Sequence, residues 1–276
     1  MRKRDRVFKM ITLGLKQMQD PYYQGFAAQL SFYFILALVP IILLISQVLT
    51  SIFKQNLEDA IGWIMDYIGT SGIGSYIEKL VIGNGGGAMS LVFIIIAVWA
   101  ASRVQFSMMR ITNYTFSDGQ STGKGFLRDR IRAFATMGLT ILTIVFAIIV
   151  LLYGDVILST VLKIIGKESD ATDIWMILRW PIAIVLYFLM ISFNYYVLPM
   201  RRMKFREIIP GSIFASVGLL IVSYLYSKYA FSIANYSLLY GSLATIVALL
   251  FWFYFLAWVL FLGILVNKVW ADTKTY

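Results

Sequence analysis

Six long stretches of the chain are rich in large apolar side chains and nearly free of charge. They lie near 26–49, 88–111, 133–154, 174–199, 208–231 and 241–266. A helix needs about 20 mainly apolar residues to cross about 30 Å of hydrocarbon, and each stretch is long enough. The backbone of a span must also satisfy its own hydrogen bonds, which a helix does. The sequence therefore predicts an all-α fold, in which residues 1–276 form a single polytopic transmembrane domain with six transmembrane helices.

The composition of the chain excludes several kinds of chemistry. Only 14% of its residues are charged, whereas a soluble domain carries about 25%. Cysteine and histidine are both absent. The chain therefore lacks the thiolate nucleophile, the commonest general base and the side chains that most often bind zinc. We expect no metal, no cofactor and no enzymatic activity.

The basic residues are distributed unevenly over the predicted loops. If the N-terminus faces the cytoplasm, the cytoplasmic segments hold eighteen basic residues and the outer loops hold four. This asymmetry follows the positive-inside rule, so we predict a multi-pass protein of the inner or plasma membrane with both termini in the cytoplasm. Clusters at 2–4, 128–132 and 201–204 then meet the anionic headgroups of phospholipids. We expect phospholipids as partners and no nucleic acid, and the sequence leaves a homo-oligomer open.

The segment 50–87 between the first two spans is too polar to cross a membrane. Its apolar residues nevertheless recur at helical spacing, first over 53–68 and again over 73–80. This pattern predicts short amphipathic helices lying on the outer surface, followed by a glycine-rich hinge. The segment is either an interfacial cap or a lid over an outward opening.

Arg103 is the one basic residue well inside a predicted span. Its helix continues through Ser107, Arg110 and Asn113 toward the cytoplasmic end. All fourteen acids lie in loops or at the edges of spans, which excludes a carboxylate relay inside the membrane. Arg103 either lines a substrate pathway or reaches inward to the headgroups.

Neutral polar residues extend this candidate pathway to two other spans. Gln29, Pro40 and Gln47 share one face of the first span, and Pro40 is expected to kink it. Tyr187 and Asn194 share a face of the fourth span. Amides in membranes also hold helices together, so each residue alone has this second interpretation. We predict a cavity lined by spans one, two and four.

Several short segments resemble, in their order and spacing, the YihY/BrkB family of six-span membrane proteins, once described as ribonuclease BN. The segments are Ala28-Gln29-Leu30-Ser31-Phe32-Tyr33, Trp99-Ala100-Ala101-Ser102-Arg103, Pro210-Gly211 and Tyr240-Gly241-Ser242-Leu243. The resemblance implies a fold and a membrane location. One position departs from the family, since Leu265 stands where members commonly carry a glutamate.

Two functions remain open at this stage. The first is a transporter or lipid-translocating protein for an anionic or amphiphilic substrate. The second is a non-catalytic membrane scaffold or assembly partner. A nuclease is rejected, because the chain has none of the histidine or cysteine ligands of zinc hydrolases. A polar cavity that reaches Arg103 would favour transport, and solid packing around Arg103 would favour a scaffold.

The orientation can be tested with single cysteines, because the chain has no native cysteine. Cysteines at Lys3, Gly119 and Lys274 should resist an impermeant thiol reagent in intact cells. Cysteines at Asp66 and Ser169 should react with it. Labelling at Gly119 would contradict the six-span topology.

Overall fold

A computed structural model describes residues 3–52, 88–164, 171–201, 203–233 and 242–274. Seven helices and no strand occur in these ranges. The helices are α1 (Lys3–Met18), α2 (Pro21–Ile52), α3 (Ala88–Phe116), α4 (Phe126–Ile164), α5 (Ala171–Val197), α6 (Phe205–Ile233) and α7 (Ser242–Lys274). The predicted all-α fold is confirmed over this part of the chain.

Six helices, α2 to α7, correspond to the six predicted spans. Four of them contain a stretch long and apolar enough to cross a membrane, at Phe126–Ala147, Ile174–Val197, Phe205–Tyr229 and Val247–Thr273. In α2 and α3 many side chains lie outside the described residues, so the count of six spans stays a prediction. Of the predicted interfacial segment 50–87, residues 53–87 lie outside the described residues. Its first three residues belong to α2, which is helical through Pro40 and ends at Ile52.

The six helices pack in the order of the chain. Each of α2 to α6 contacts the helix that follows it, and α7 returns to contact α2. A core of aromatic and aliphatic side chains fills the centre, where Tyr23 of α2 stacks on Phe261 of α7 at 4.5 Å between ring centroids. Local sequence neighbours are therefore neighbours in space, and α7 joins the two ends of the series.

Helix α1 was not expected from the sequence, which suggested only a basic tail. One of its faces, which includes Met10 and Leu13, packs on the core. The guanidinium of Arg6 lies 4.2 Å from the ring centre of Trp270 on α7, and its Nε donates to Thr273 Oγ1 at 3.4 Å. The acidic Asp5 lies in its first turn and the basic Lys16 in its last turn, where each charge interacts favourably with the helix dipole.

Helices α6 and α7 approach so closely that their contact tolerates no side chain at Gly211. A methyl group there would overlap the carbonyl oxygen of Gly263 and the amide of Asn267. Asn267 Oδ1 accepts a hydrogen bond from the Gly211 N–H at 2.7 Å, just after Pro210, whose ring disturbs the regular helical bonding. Small residues allow this backbone approach, as is common between membrane helices.

We expect Gly211→Ala to destabilise the protein by about 1–3 kcal/mol, because the added methyl must push the two backbones apart. Thermal melting of the detergent-purified protein measures this loss. Gly138→Ala on α4 is the matched control, since a methyl there meets nothing within 4 Å. Equal melting temperatures for both variants would show that the α6–α7 contact is not tight.

Candidate functional site

A cavity of about 200 Å³ lies between the first half of α2, the second half of α3 and the first turns of α4. Its lining combines aromatic side chains with polar and basic ones. Its lining residues are Tyr22, Phe26, Gln29, Tyr33, Trp99, Arg103, Phe106, Ser107, Arg110, Phe126 and Arg130. Three arginines thus face one small space within the helical bundle.

Arg103, Ser107 and Arg110 reach the cavity together because spacings of three and four residues place them on one face of α3. Arg103 Nη1 donates to the hydroxyl of Tyr33 on α2 at 3.4 Å, and its guanidinium lies 5.6 Å from that ring centre. Gln29 Nε2 donates to the same hydroxyl at 3.2 Å. Arg103 and Arg110 are both exposed, so they form the outer part of the cavity.

Arg130 forms the buried end of the cavity and is only 5% exposed. Its guanidinium lies 3.8 Å from the ring centre of Trp99 and 5.4 Å from that of Phe106. Its Nη2 donates to the Trp99 carbonyl at 3.2 Å, whereas its buried Nε has no acceptor among the described residues. Within the described part of the chain, one N–H of this buried cation therefore lacks a hydrogen-bond partner.

Tyr22 closes the rim of the cavity and is held in place by Asp20. Asp20 Oδ1 accepts a hydrogen bond from the Tyr22 N–H at 2.9 Å, and Asp20 Oδ2 accepts one from the Tyr114 hydroxyl at 2.6 Å. The rings of Tyr22 and Tyr114 pack together with 4.3 Å between their centroids. The bond to Asp20 raises the pKa of Tyr114 to about 12, so this phenol stays protonated and remains the donor.

The cavity has a strong excess of positive charge. Its lining includes no carboxylate among the described residues, and within those ranges none of Arg103, Arg110 and Arg130 forms an ion pair. Removing a cation from water costs several kcal/mol when no counter-charge compensates it. Guanidinium groups arranged in this way suit a ligand with a phosphate or another oxyanion, which matches their planar set of donors.

The structure places the other predicted pathway residues elsewhere. Asn194 Oδ1 accepts hydrogen bonds from Gln105 and Thr140 at 3.0 and 3.2 Å, inside the α3–α4–α5 contact. Asn113 joins two loops, because its Nδ2 donates to the Thr122 carbonyl and its Oδ1 accepts from the Met200 N–H.

Tyr187 on α5 packs against the core and does not line the cavity. The side chains of Pro40 and Gln47 lie outside the described residues. Among the described residues, then, the cavity is lined by the first and second predicted spans and by the first turns of α4, which precede the third predicted span. The fourth span, which was expected to contribute, supplies no described lining residue, and its Asn194 and Tyr195 bond to other helices.

Arg130 was missed because it belongs to a basic cluster at the start of α4 that resembles a topology signal. The spacing within that cluster holds a clue. Phe126 and Arg130 are four residues apart and share one helix face, whereas Arg128 and Arg132 lie on the opposite face. The neighbouring helix that this face meets could not be known from spacing.

The opposite face of α4 borders a second, more open crevice of about 540 Å³. Arg132 uses its guanidinium there to donate to the carbonyls of Val197 and Pro199. Asp129 also lines this crevice and supplies a carboxylate. This crevice therefore holds a carboxylate among its basic groups, whereas the described lining of the first cavity holds none.

A family model described as virulence factor BrkB matches residues 15–275. The chain belongs to the BrkB family. The putative ribonuclease-like protein YfkH of Bacillus subtilis (strain 168) is 27% identical over 249 residues, which are 89% of this chain and 89% of that protein. No solved structure matches the chain.

BrkB membership confirms the resemblance seen in the sequence, and together with the apolar helices it identifies a membrane protein with transmembrane helices. Leu265, which departs from the common family pattern, is 4% exposed and packs in the core of this BrkB protein. Two residues further on, Asn267 accepts a hydrogen bond from the Gly211 N–H. Where members of the family commonly carry a charged glutamate, this chain therefore has an apolar side chain that packs in the core.

We expect Arg130→Met to leave the melting temperature of the detergent-purified protein unchanged or to raise it. Methionine fills the slot between the rings and removes a charge that no carboxylate compensates. The cation–π contacts that are lost contribute about 0.5–2 kcal/mol each and oppose this gain. Arg128→Met, at an exposed position of the same helix, is the control. A fall of several degrees for Arg130→Met alone would assign Arg130 a structural role.

Proposed function

We propose that this BrkB protein is a transporter, in particular a lipid-translocating protein, for an anionic or amphiphilic substrate that carries phosphate. The observation that supports this most directly is the cavity, which brings Arg103, Arg110 and Arg130 together without a carboxylate. A polar cavity at Arg103 is also the feature that distinguishes transport from a solidly packed scaffold. The scaffold remains the alternative, and it would give these arginines no ligand.

The predicted topology gives the cavity a side of the membrane. The cavity is built from the start of α2, the end of α3 and the start of α4, and the positive-inside rule places all three in the cytoplasmic half. Exposed Arg103 and Arg110 lie toward its opening, and buried Arg130 lies at its inner end. A headgroup would enter from the cytoplasmic leaflet, with its phosphate between the guanidinium groups.

Large apolar side chains flank the cavity and suit the acyl chains of such a substrate. Phe126 is 69% exposed and Trp99 is 44% exposed, and both line the cavity. Phe32, next to Tyr33 on α2, is 55% exposed. The headgroup would therefore lie among the arginines while the chains stay in the surrounding lipid.

The name of the relative YfkH suggests a ribonuclease, and we propose no such activity for this chain. The sequence holds neither histidine nor cysteine, which zinc hydrolases use. Within the described residues, no three acidic side chains come together where they could hold a metal ion. The basic residues are better explained by topology and by phosphate-bearing lipids than by nucleic acid.

Reconstitution into liposomes with fluorescent phospholipids and with anions tests the proposal. Wild-type protein should move a labelled substrate between the two sides, and Arg103→Ala should abolish the movement. We expect Arg103→Lys to fold and to lose at least about tenfold in rate, because lysine lacks the planar fork of donors. Arg128→Lys, which faces the other crevice, is the matched control.

Wild-type rates for Arg103→Lys would show that the position needs only a point charge that reaches the headgroups. Arg103 would then no longer be a candidate residue of the substrate pathway. If the wild-type protein moves none of the labelled lipids or anions, the scaffold becomes the better description.

A further inference from the structure

We propose that the arginine cavity selects ligands of net negative charge, namely phosphate esters whose other groups are uncharged, and rejects zwitterionic headgroups. The proposal rests on the proposed function and names the substrate class for the same site. It follows from what the cavity offers to each part of a headgroup, first to a phosphate and then to an ammonium group.

The phosphate part has a prepared partner at the buried end. Arg130 lines the cavity and is more than nine-tenths buried, and its Nε has no acceptor among the described residues. Arg103 and Arg110 supply further guanidinium groups toward the opening. A bound phosphate would accept hydrogen bonds from this cluster and would offset the repulsion among the three like charges.

Proteins bind an ammonium group with a carboxylate or with the face of an aromatic ring. The described lining contains no carboxylate. Several of its rings already lie against the protein's own cations, since the guanidinium of Arg130 lies 3.8 Å from the ring centre of Trp99 and that of Arg103 lies 5.6 Å from the ring centre of Tyr33. An ammonium group near these rings would therefore meet a guanidinium group of like charge.

Phe106, one of the other aromatic lining residues beside Tyr22, Phe26 and Phe126, also lies near the protein's own cations. Phe106 lies 5.4 Å from the guanidinium of Arg130 and 5.9 Å from that of Arg110. A zwitterionic headgroup would therefore bring a fourth positive charge into a small space that holds three. Uncharged hydroxyls meet no such obstacle, since Ser107 and Gln29 add neutral polar groups to the lining.

Two sources share this chemistry, an anionic phospholipid of the cytoplasmic leaflet and a soluble phosphate ester. The exposed apolar side chains of Phe126 and Trp99 beside the arginines favour the lipid. A volume of about 200 Å³ holds a phosphate with a small substituent, because one water takes about 30 Å³.

Equilibrium binding of fluorescent short-chain lipids to the detergent-purified protein tests the selectivity without requiring transport. Phosphatidylglycerol should bind at least about tenfold more tightly than phosphatidylethanolamine, because a fourth like charge at this range costs at least that factor. Glycerol 3-phosphate is added as a soluble competitor. If glycerol 3-phosphate fully displaces the fluorescent lipid at a similar concentration, the ligand is a soluble phosphate ester. If it does not displace the lipid, the ligand is an anionic phospholipid.

A charge reversal at the rim of the cavity tests whether the positive charge of the lining causes the selectivity. Arg110→Glu supplies the missing carboxylate at an exposed position, so it should shift the preference toward phosphatidylethanolamine by about tenfold or more. Arg128→Glu changes the net charge equally but faces the other crevice, and it should keep the wild-type ratio. If Arg110→Glu does not fold, Arg110→Gln is measured in its place. It should weaken the binding of phosphatidylglycerol and leave the binding of phosphatidylethanolamine unchanged.

Equal affinity of the wild-type protein for the two lipids would overturn the selectivity, as would an equal shift in both glutamate variants. The proposed function would survive if both lipids were still translocated in liposomes. Selective binding without any translocation would give the opposite result, since it would overturn the transport function and keep the anion site.

Discussion

Hydrocarbon offers no hydrogen bonds, and this constraint shapes every part of the fold. The backbone within each apolar stretch must bond to itself, so it forms long helices. Polar side chains between helices must likewise find partners, as Asn194 does with Gln105 and Thr140, and Asn267 with Gly211. Against this background, four buried polar side-chain atoms without a partner stand out among the described residues, on Gln105, Arg130, Ser192 and Trp252. Of these four residues, Arg130 alone lines the arginine cavity and carries a charge.

The sequence predicted the helices because their signal is local, and it predicted part of the site for the same reason. Arg103, Ser107 and Arg110 share a face of α3 by spacing alone, and all three line the cavity. Which helices meet across that cavity depends on packing between segments, which spacing does not encode. The contribution of Arg130 was missed for this reason, and Asn194 was assigned to a pathway although it serves a helix contact. The polar face of a membrane helix looks alike in both roles.

The arginine cavity also shows a conflict between stability and binding. A carboxylate beside Arg130 would stabilise the empty protein, but it would compete with any anionic ligand for the same donors. The chain instead surrounds this cation with the rings of Trp99, Phe106 and Phe134, which attract it without pairing it with a negative charge. Aromatic rings are suited to this task because they attract a cation without carrying a charge. Arg132, on the opposite face of α4, bonds to two backbone carbonyls, whereas Arg130 bonds to one, that of Trp99.

The contact between α1 and α7 has a consequence for how the protein is made. Arg6 bonds to Thr273, which follows it by 267 residues, so α1 docks on a helix that is translated much later. Domains generally form from the N-terminus during synthesis, but this contact cannot form until residue 273 has been translated. Until then α1 lacks its contact with α7. Its docking is thus a late step of biogenesis, and it joins the two ends of the helical series once all the helices between them exist.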